Sequence, residues 1–248
     1  MAELALSISQ VSKIFGGIRA VDGVSLEVSQ GERRVMIGPN GAGKTTLFHC
    51  VSGAHQATSG TIHLFGEDIT QLPEHERTLK GMGRTFQISS VFVDLTALEN
   101  VQLAVLGVRS DKWAPWKRVG DVAGVNDRAM EKLELVGLAG KANVGVKQMS
   151  YGERRQLELA LALVNEPRLL LLDEPCAGLS PAERQRLFKL IQGLPRSLTM
   201  LMIEHDMDVA LGLADRIRVL HRGQIILEGG VDEVRVNPQV REVYFGQV

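Results

Sequence analysis

The chain has 248 residues, 44% hydrophobic and 23% charged, enough to bury one large core or two lobes. Its 28 Lys and Arg against 29 Asp and Glu, with a pI of about 6.6, exclude a protein that grips nucleic acid through bulk positive charge. Cys50 and Cys176 make no disulfide framework, the N-terminus lacks the basic start and apolar core of a signal peptide, and no apolar run approaches the roughly 20 residues of a membrane helix. The expectation is a soluble chain in a reducing cytosol, with any membrane role reached through a partner.

In chain order, Leu4, Leu6 and Ile8 alternate with small or polar residues, as do Val24, Leu26 and Val28; this period of two predicts half-buried, antiparallel strands. Val35-Met36-Ile37 is a continuous apolar run, the pattern of a strand buried on both faces. After a glycine-rich turn, residues 45–52 should form a helix with Gly53 at its carboxyl cap. Residues 61–65 read as a strand. From about 89 to 148 the pattern turns helical, notably at 95–106 and 127–136, with a Gly/Trp/Pro-containing connection at 107–124. This reads as an inserted helical lobe. Strand signals return at 169–172 and 198–203, and His221-Arg222-Gly223 between 217–220 and 224–228 predicts a hairpin.

The glycine-rich turn is specific. Residues 38–46 read G-P-N-G-A-G-K-T-T, the phosphate-loop pattern, placed between a buried strand and a helix. Glycines let successive amides turn in around phosphates, the Lys44 ammonium supplies a point charge, and the Thr45 hydroxyl can ligate Mg2+. L-L-L-L-D-E-P at 169–175 delivers two carboxylates to the carboxyl end of a buried strand, where ligands sit in parallel sheets. There Asp173 can hold Mg2+, directly or through water, and Glu174 can orient or deprotonate an attacking water. His205, after the apolar strand at 200–203, could bond a terminal phosphate or be an ordinary surface histidine. Gln87 could reach the metal or its water, or merely end a strand. Phe15 could stack on an adenine or belong to the core.

K-Q-M-S-Y-G-E-R at 147–154 has the form of a helix start, with Ser150 and Glu153 as a capping box and Leu157, Ala160, Leu161 and Val164 following at helical spacing. Such a start favours anions.

Together these motifs, in this order and over essentially the whole chain, resemble the nucleotide-binding subunit of an ATP-binding cassette transporter. The stretches K-I-F-G-G-I-R-A-V at 13–21, G-R-T-F-Q at 83–87, L-D-E-P-C-A-G-L-S-P at 172–181 and V-N-P-Q-V-R-E-V-Y-F-G at 236–246 look most like ATPases of branched-chain amino-acid importers, and are shared with importers of urea and other amides. The resemblance implies an α/β fold: a P-loop NTPase with a RecA-type core and an antiparallel β subdomain (1–88 and 155–248) plus an inserted α-helical subdomain (89–154). It implies an ATPase that binds ATP and Mg2+, with Glu174, His205, Lys44 and Gln87 catalytic and Thr45, Gln87 and Asp173 at the metal. Nucleotide contacts would come from Phe15, Gly38, Asn40, Gly41, Ala42, Gly43, Lys44, Thr45 and Thr46. Ser150, Gly152 and Glu153 would meet the nucleotide of a second ATPase subunit. The further partners implied are two integral membrane permeases and a periplasmic or extracellular solute-binding protein, with no nucleic acid and the chain peripheral on the cytoplasmic face of the membrane. Two departures stand out: Tyr151 and Glu153 interrupt the commoner L-S-G-G-Q signature, and A-G-L-S at 177–180 ends in Ser180 where aspartate is usual. A non-transport ATPase of translation or DNA repair would be expected to bring tandem cassettes, long heptads or cysteine sets, which this chain lacks. A GTPase would need N-K-x-D.

Overall fold

The computed structural model describes residues 3–85, 91–107 and 122–245, which form two compact units. One comprises Met1–Met82, Arg168–Glu174 and Leu194–Val248, the other Gly83–Pro167 and Pro175–Gly193.

In the first unit, β1 (Leu4–Phe15) and β2 (Ile18–Ser29) pair antiparallel, and β1 pairs on its other edge with β4 (Ser59–Leu64). With the short β5 (Glu67–Asp68) they make a sheet ordered β2-β1-β4-β5. The expected alternation is present: Leu6, Ile8, Val24, Leu26 and Val28 are buried. Ala5 is buried as well, because the β1–β2 register slips between Leu4 and Leu6, and a slip moves neighbouring side chains to the same face.

The second sheet runs β10-β9-β3-β8-β7-β6, from β3 (Arg33–Ile37), β6 (Met82–Arg84), β7 (Leu169–Asp173), β8 (Thr199–Ile203), β9 (Arg216–His221) and β10 (Gln224–Gly229). Strand β3 is parallel to β8 and β9, and β7 to β8. Every residue of β3, β7 and β8 is buried: the apolar runs at 35–37, 169–172 and 200–203 predict this for strands covered on both faces, and Arg33, Arg34, Asp173 and Thr199 are buried with them. The expected hairpin joins β9 to β10 through Arg222 and Gly223, both at positive φ, the backbone a two-residue turn of the mirror type needs.

Helix α1 (Lys44–Ser52) packs on β1, β2 and β7, burying Leu47, Phe48 and Val51, and Gly53 at φ 89° caps it as expected. Its carboxyl end is held by Arg77 of α2 (Glu74–Leu79), which is fully buried. Arg77 donates from Nη1 to the carbonyls of Cys50 and Val51 (both 2.7 Å), from Nε to Leu72 (2.8 Å) and from Nη2 to Thr70 (3.0 Å). A buried cation on the last carbonyls of a helix meets the negative end of its dipole. Burial pushes the Arg77 pKa down, with Cys50 and Glu74 opposing.

The second unit is helical. α3 (Ala97–Gly107) packs on α4 (Val125–Leu135) and both pack on α5 (Tyr151–Leu163), with Val101, Val105, Ala129, Leu133, Leu157 and Ala160 buried. α3 begins two residues later than the periodicity predicts. Thr96 and Glu99 form a capping box, the Thr96 amide donating to Glu99 (2.7 Å) and the Glu99 amide to the Thr96 hydroxyl (3.2 Å). α5 also packs on α6 (Pro181–Gly193), so this unit extends beyond both the helical pattern at about 89–148 and the segment 89–154 that the resemblance implies. Trp113 and Trp116 lie outside the described residues. The first unit closes with α7 (Met207–Leu213), α8 (Val231–Val236) and α9 (Pro238–Phe245). No helix among the described residues is long and apolar enough to cross a membrane.

Candidate nucleotide site

Strand β3 ends at Ile37 and α1 begins at Lys44, leaving residues 38–43 as a loop between a buried strand and a helix start. The loop's carbonyls are held by the protein. Lys44 Nζ donates to Gly38 (2.6 Å) and Pro39 (3.1 Å), and the Gly223 amide donates to Ala42 (2.8 Å). The two motif glycines at the loop's ends are sterically required: a Cβ at Gly38 would lie 2.1 Å from the Leu220 carbonyl oxygen, and one at Gly43 would lie 2.3 Å from that of Ala20. Gly43 caps α1 at φ 100° with no side chain reaching the helix start. The first-turn amides of Lys44, Thr45 and Thr46 are therefore left for an anion. Asn40 and Gly41 lie at the exposed tip, while Ala42 is buried.

Parallel pairing brings the other expected groups to the same end of the sheet. Asp173, the last residue of β7, is in register with Ile203 of β8, which is in register with Met36 of β3. Asp173 is buried; Glu174 follows at φ 45°, its amide donating to the Ile203 carbonyl (3.0 Å). A left-handed backbone at a non-glycine residue is uncommon and is held here by that bond. His205 Nδ1 lies 3.6 Å from a Glu174 carboxylate oxygen, with the imidazole half exposed. Asp206 next caps α7, accepting from the amides of Asp208 (3.0 Å) and Val209 (3.2 Å), which fixes the chain just after the histidine. Burial lowers the Lys44 pKa, while Glu174 and Asp173 work against that shift, so the ammonium stands among carboxylates it can neutralise.

Phe15 is not a core residue. It is 42% exposed at the end of β1, edge-on to His55 (centroids 5.5 Å apart) with Lys13 Nζ 4.9 Å from its ring centre. Gln87 lies outside the described residues.

The donor set fits a magnesium nucleotide. Among the described residues no cluster of three His, Cys, Asp or Glu could hold a metal alone. Thr45 and Asp173 instead offer two hard oxygens beside a phosphate-shaped loop. That suits an ion held by one or two protein oxygens, phosphate and water.

In the helical unit, Ser150 caps α5 as expected: its hydroxyl accepts from the Glu153 amide (3.2 Å) and its amide donates to the Glu153 carboxylate (2.9 Å). Lys141 pairs with Glu153 and lowers its pKa through that bond. Tyr151 lies across Gly178, and its hydroxyl accepts from Arg155 (2.8 Å), which is itself paired with buried Glu158 (2.9 Å). Of the expected spacing, Leu157, Ala160 and Val164 are buried, and Leu161 is half-buried.

Sequence reading missed Glu183. One oxygen of its carboxylate accepts from the Ser150 hydroxyl (3.0 Å) and the Gly152 amide (3.1 Å), the other from the Ser180 hydroxyl (2.7 Å) and amide (3.2 Å). The bonds from Ser180, then those from Ser150 and Gly152, pull its pKa down to about 2. S-P-A-E at 180–183 is itself a capping-box spacing and was the available signal.

Residues 21–177 match the family described as ABC transporter. Across all of both chains, the sequence is 39% identical to the high-affinity branched-chain amino acid transport ATP-binding protein BraF of Pseudomonas aeruginosa. It is 39% identical, over the same full extent, to LivG of Salmonella typhimurium, which carries the same description. The structure resembles the ADP conformation of MJ1267, an ATP-binding cassette of an ABC transporter, with TM-score 0.88 and 30% identity over 98% of this chain and 99% of that one. It also resembles the dimeric post-hydrolysis state of the cassette MJ0796 bound to ADP and Pi, with TM-score 0.78 and 26% identity over 91% and 98%.

Proposed function

The chain belongs to the ABC transporter family of ATPases, and from that premise we propose that it is the motor subunit of an importer for branched-chain amino acids or a related small amide or amino-acid solute. The observation that carries the reading is the convergence of the residue 38–46 loop, Asp173, Glu174 and His205 at one end of parallel strands β3, β8 and β7. Identity of 39% over the full length of two branched-chain transport ATPases supports the solute class.

In this reading the loop amides and Lys44 hold the ATP phosphates, and Phe15 lies against the base. Thr45 and Asp173, with Gln87, hold Mg2+, which when bound neutralises phosphate charge and orients the phosphate oxygens. Glu174 accepts the proton of the attacking water, and His205, against Glu174, steadies the terminal phosphate. Phosphoryl transfer needs placement and charge compensation above all, and these residues supply both. The Ser150 and Gly152 donors have no nucleotide of their own subunit to serve, since the residue 38–46 loop already cradles it. They therefore meet the ATP of a second ATPase subunit, so that two subunits close on two nucleotides. Two membrane permeases and a solute-binding protein complete the assembly, with this chain peripheral on the cytoplasmic side. The unit of Met1–Met82, Arg168–Glu174 and Leu194–Val248 acts as the nucleotide core and the helical unit as the arm that meets the permease.

The test is to purify the complex from membranes on a tag carried by this chain, reconstitute it, and measure ATP hydrolysis with added solutes. Recovery of two multispanning proteins and a second ATPase, with turnover stimulated by binding protein and leucine, isoleucine or valine, is expected. Ribosomal or DNA-repair proteins in their place would overturn the transport reading.

A further inference from the structure

The donors at the start of α5 already hold an anion. Glu183 Oε1 accepts from the Ser150 hydroxyl at 3.0 Å and from the Gly152 amide at 3.1 Å, charge-assisted bonds at ordinary length. Each donor has a single hydrogen, so Glu183 and a phosphate oxygen compete for it. Two anions sharing these donors would also repel. Space is equally exclusive: a Cβ added at Gly152 would come within 2.8 Å of three Glu183 side-chain atoms. Ser150, Gly152, Glu153, Gln156, Glu183 and Arg186 line a small cleft at these donors.

We propose that Glu183 is a built-in competitor for nucleotide at this half-site: its carboxylate and the phosphate carried by a second subunit exchange on the Ser150 hydroxyl and Gly152 amide. This rests on the reading that Ser150 and Gly152 meet the nucleotide of another subunit. The exchange is a hydrogen-bond swap in which no covalent bond changes. The second carboxylate oxygen stays on Ser180, so Glu183 can swing off α5 while α6 keeps its cap. Glu183 ties the start of α5 to Ser180 at the end of the 177–180 turn, and the exchange undoes that tie. Arrival of the nucleotide is thereby transmitted to the A-G-L-S segment of the same subunit. Glu183 is a positioning residue, acting through Ser150 and Gly152.

The test compares KM for ATP and kcat in the complex purified on this chain, for the parent, Glu183→Ala, Glu183→Gln and Ser150→Ala. Removing the competitor should lower KM roughly ten-fold in Glu183→Ala. In Glu183→Gln the single carboxamide oxygen can accept either from the Ser150 and Gly152 donors or from the Ser180 amide, without the charge, and KM should fall between the two. With its oxygen on the Ser180 amide, glutamine keeps the capping box, so this variant keeps the test open should alanine unfold α6. A purely structural role for Glu183 would leave KM unchanged or raise it, and that result in the folded variants overturns the proposal. Ser150→Ala separates the two ideas. If it raises KM while the Glu183 variants fail to lower it, the half-site stands and the competition falls. If Ser150→Ala leaves KM unmoved, the half-site reading fails and the proposal with it.

Discussion

Replacing Arg77 by alanine tests whether the helix behind the phosphate loop is anchored from its far end. The guanidinium is fully buried and donates to four main-chain carbonyls, those of Cys50, Val51, Leu72 and Thr70, at 2.7–3.0 Å. A buried acceptor stripped of its donor costs about 1–3 kcal/mol. The four do not add fully, because removing the cation also removes its own desolvation, the effect that lowers its pKa. The acceptors left behind are neutral carbonyls, and about 4 kcal/mol is the expectation for the four together. That is a large share of the roughly 5–15 kcal/mol that holds a domain folded. Arg77→Lys presents a compact ammonium with no fork, reaches one or two of the carbonyls, and should lose about half as much. Urea unfolding followed by circular dichroism reads the loss as a shift in midpoint. Because the amino end of α1 opens at Lys44, ATP affinity at low denaturant should weaken in the same order. A loss below about 1 kcal/mol for Arg77→Ala would refute the claim that these bonds anchor the helix.

Glu174→Gln should keep ATP binding, by calorimetry, while steady-state hydrolysis falls roughly 100-fold or more, the scale of a lost general base; unchanged turnover would remove Glu174 from that role. Lys44→Ala should weaken ATP binding or turnover at least roughly ten-fold, since its ammonium is the loop's one side-chain cation in the motif. Gly38→Ala places a methyl 2.1 Å from the Leu220 carbonyl oxygen, and overpacking of this kind should cost about 1–3 kcal/mol in thermal unfolding and disturb nucleotide binding as the loop shifts. The Glu183 carboxyl, ordinarily at 4.5, sits at about 2 in the folded chain. Its stabilising contribution is therefore complete above pH 4.5 and is lost as pH falls from 4.5 through 2. Thermal melts over that window should flatten in Glu183→Gln, and a parent-like slope would contradict the assignment.

What could be read from the sequence was whatever is local or periodic. The loop at 38–46 was legible because a run of glycines before Lys-Thr has few other uses, and the Ser150 capping box because its two bonds span three residues. The buried strands announced themselves by unbroken apolar runs, and α1 by Gly53. The sequence could not say that Phe15 stands exposed, because alternation gives the face of a strand and not what covers it.

The sequence by itself determined the family and the chemistry, since phosphate recognition depends on residues that lie side by side along the chain. Tertiary structure alone decided which distant groups meet: Asp173 beside Ile203 through strand register, His205 against Glu174, Arg77 across the end of α1, and Glu183 on the donors of α5. Those pairs are separated by about 30 residues, and their contact follows from burial of apolar faces that periodicity reveals without naming the partner.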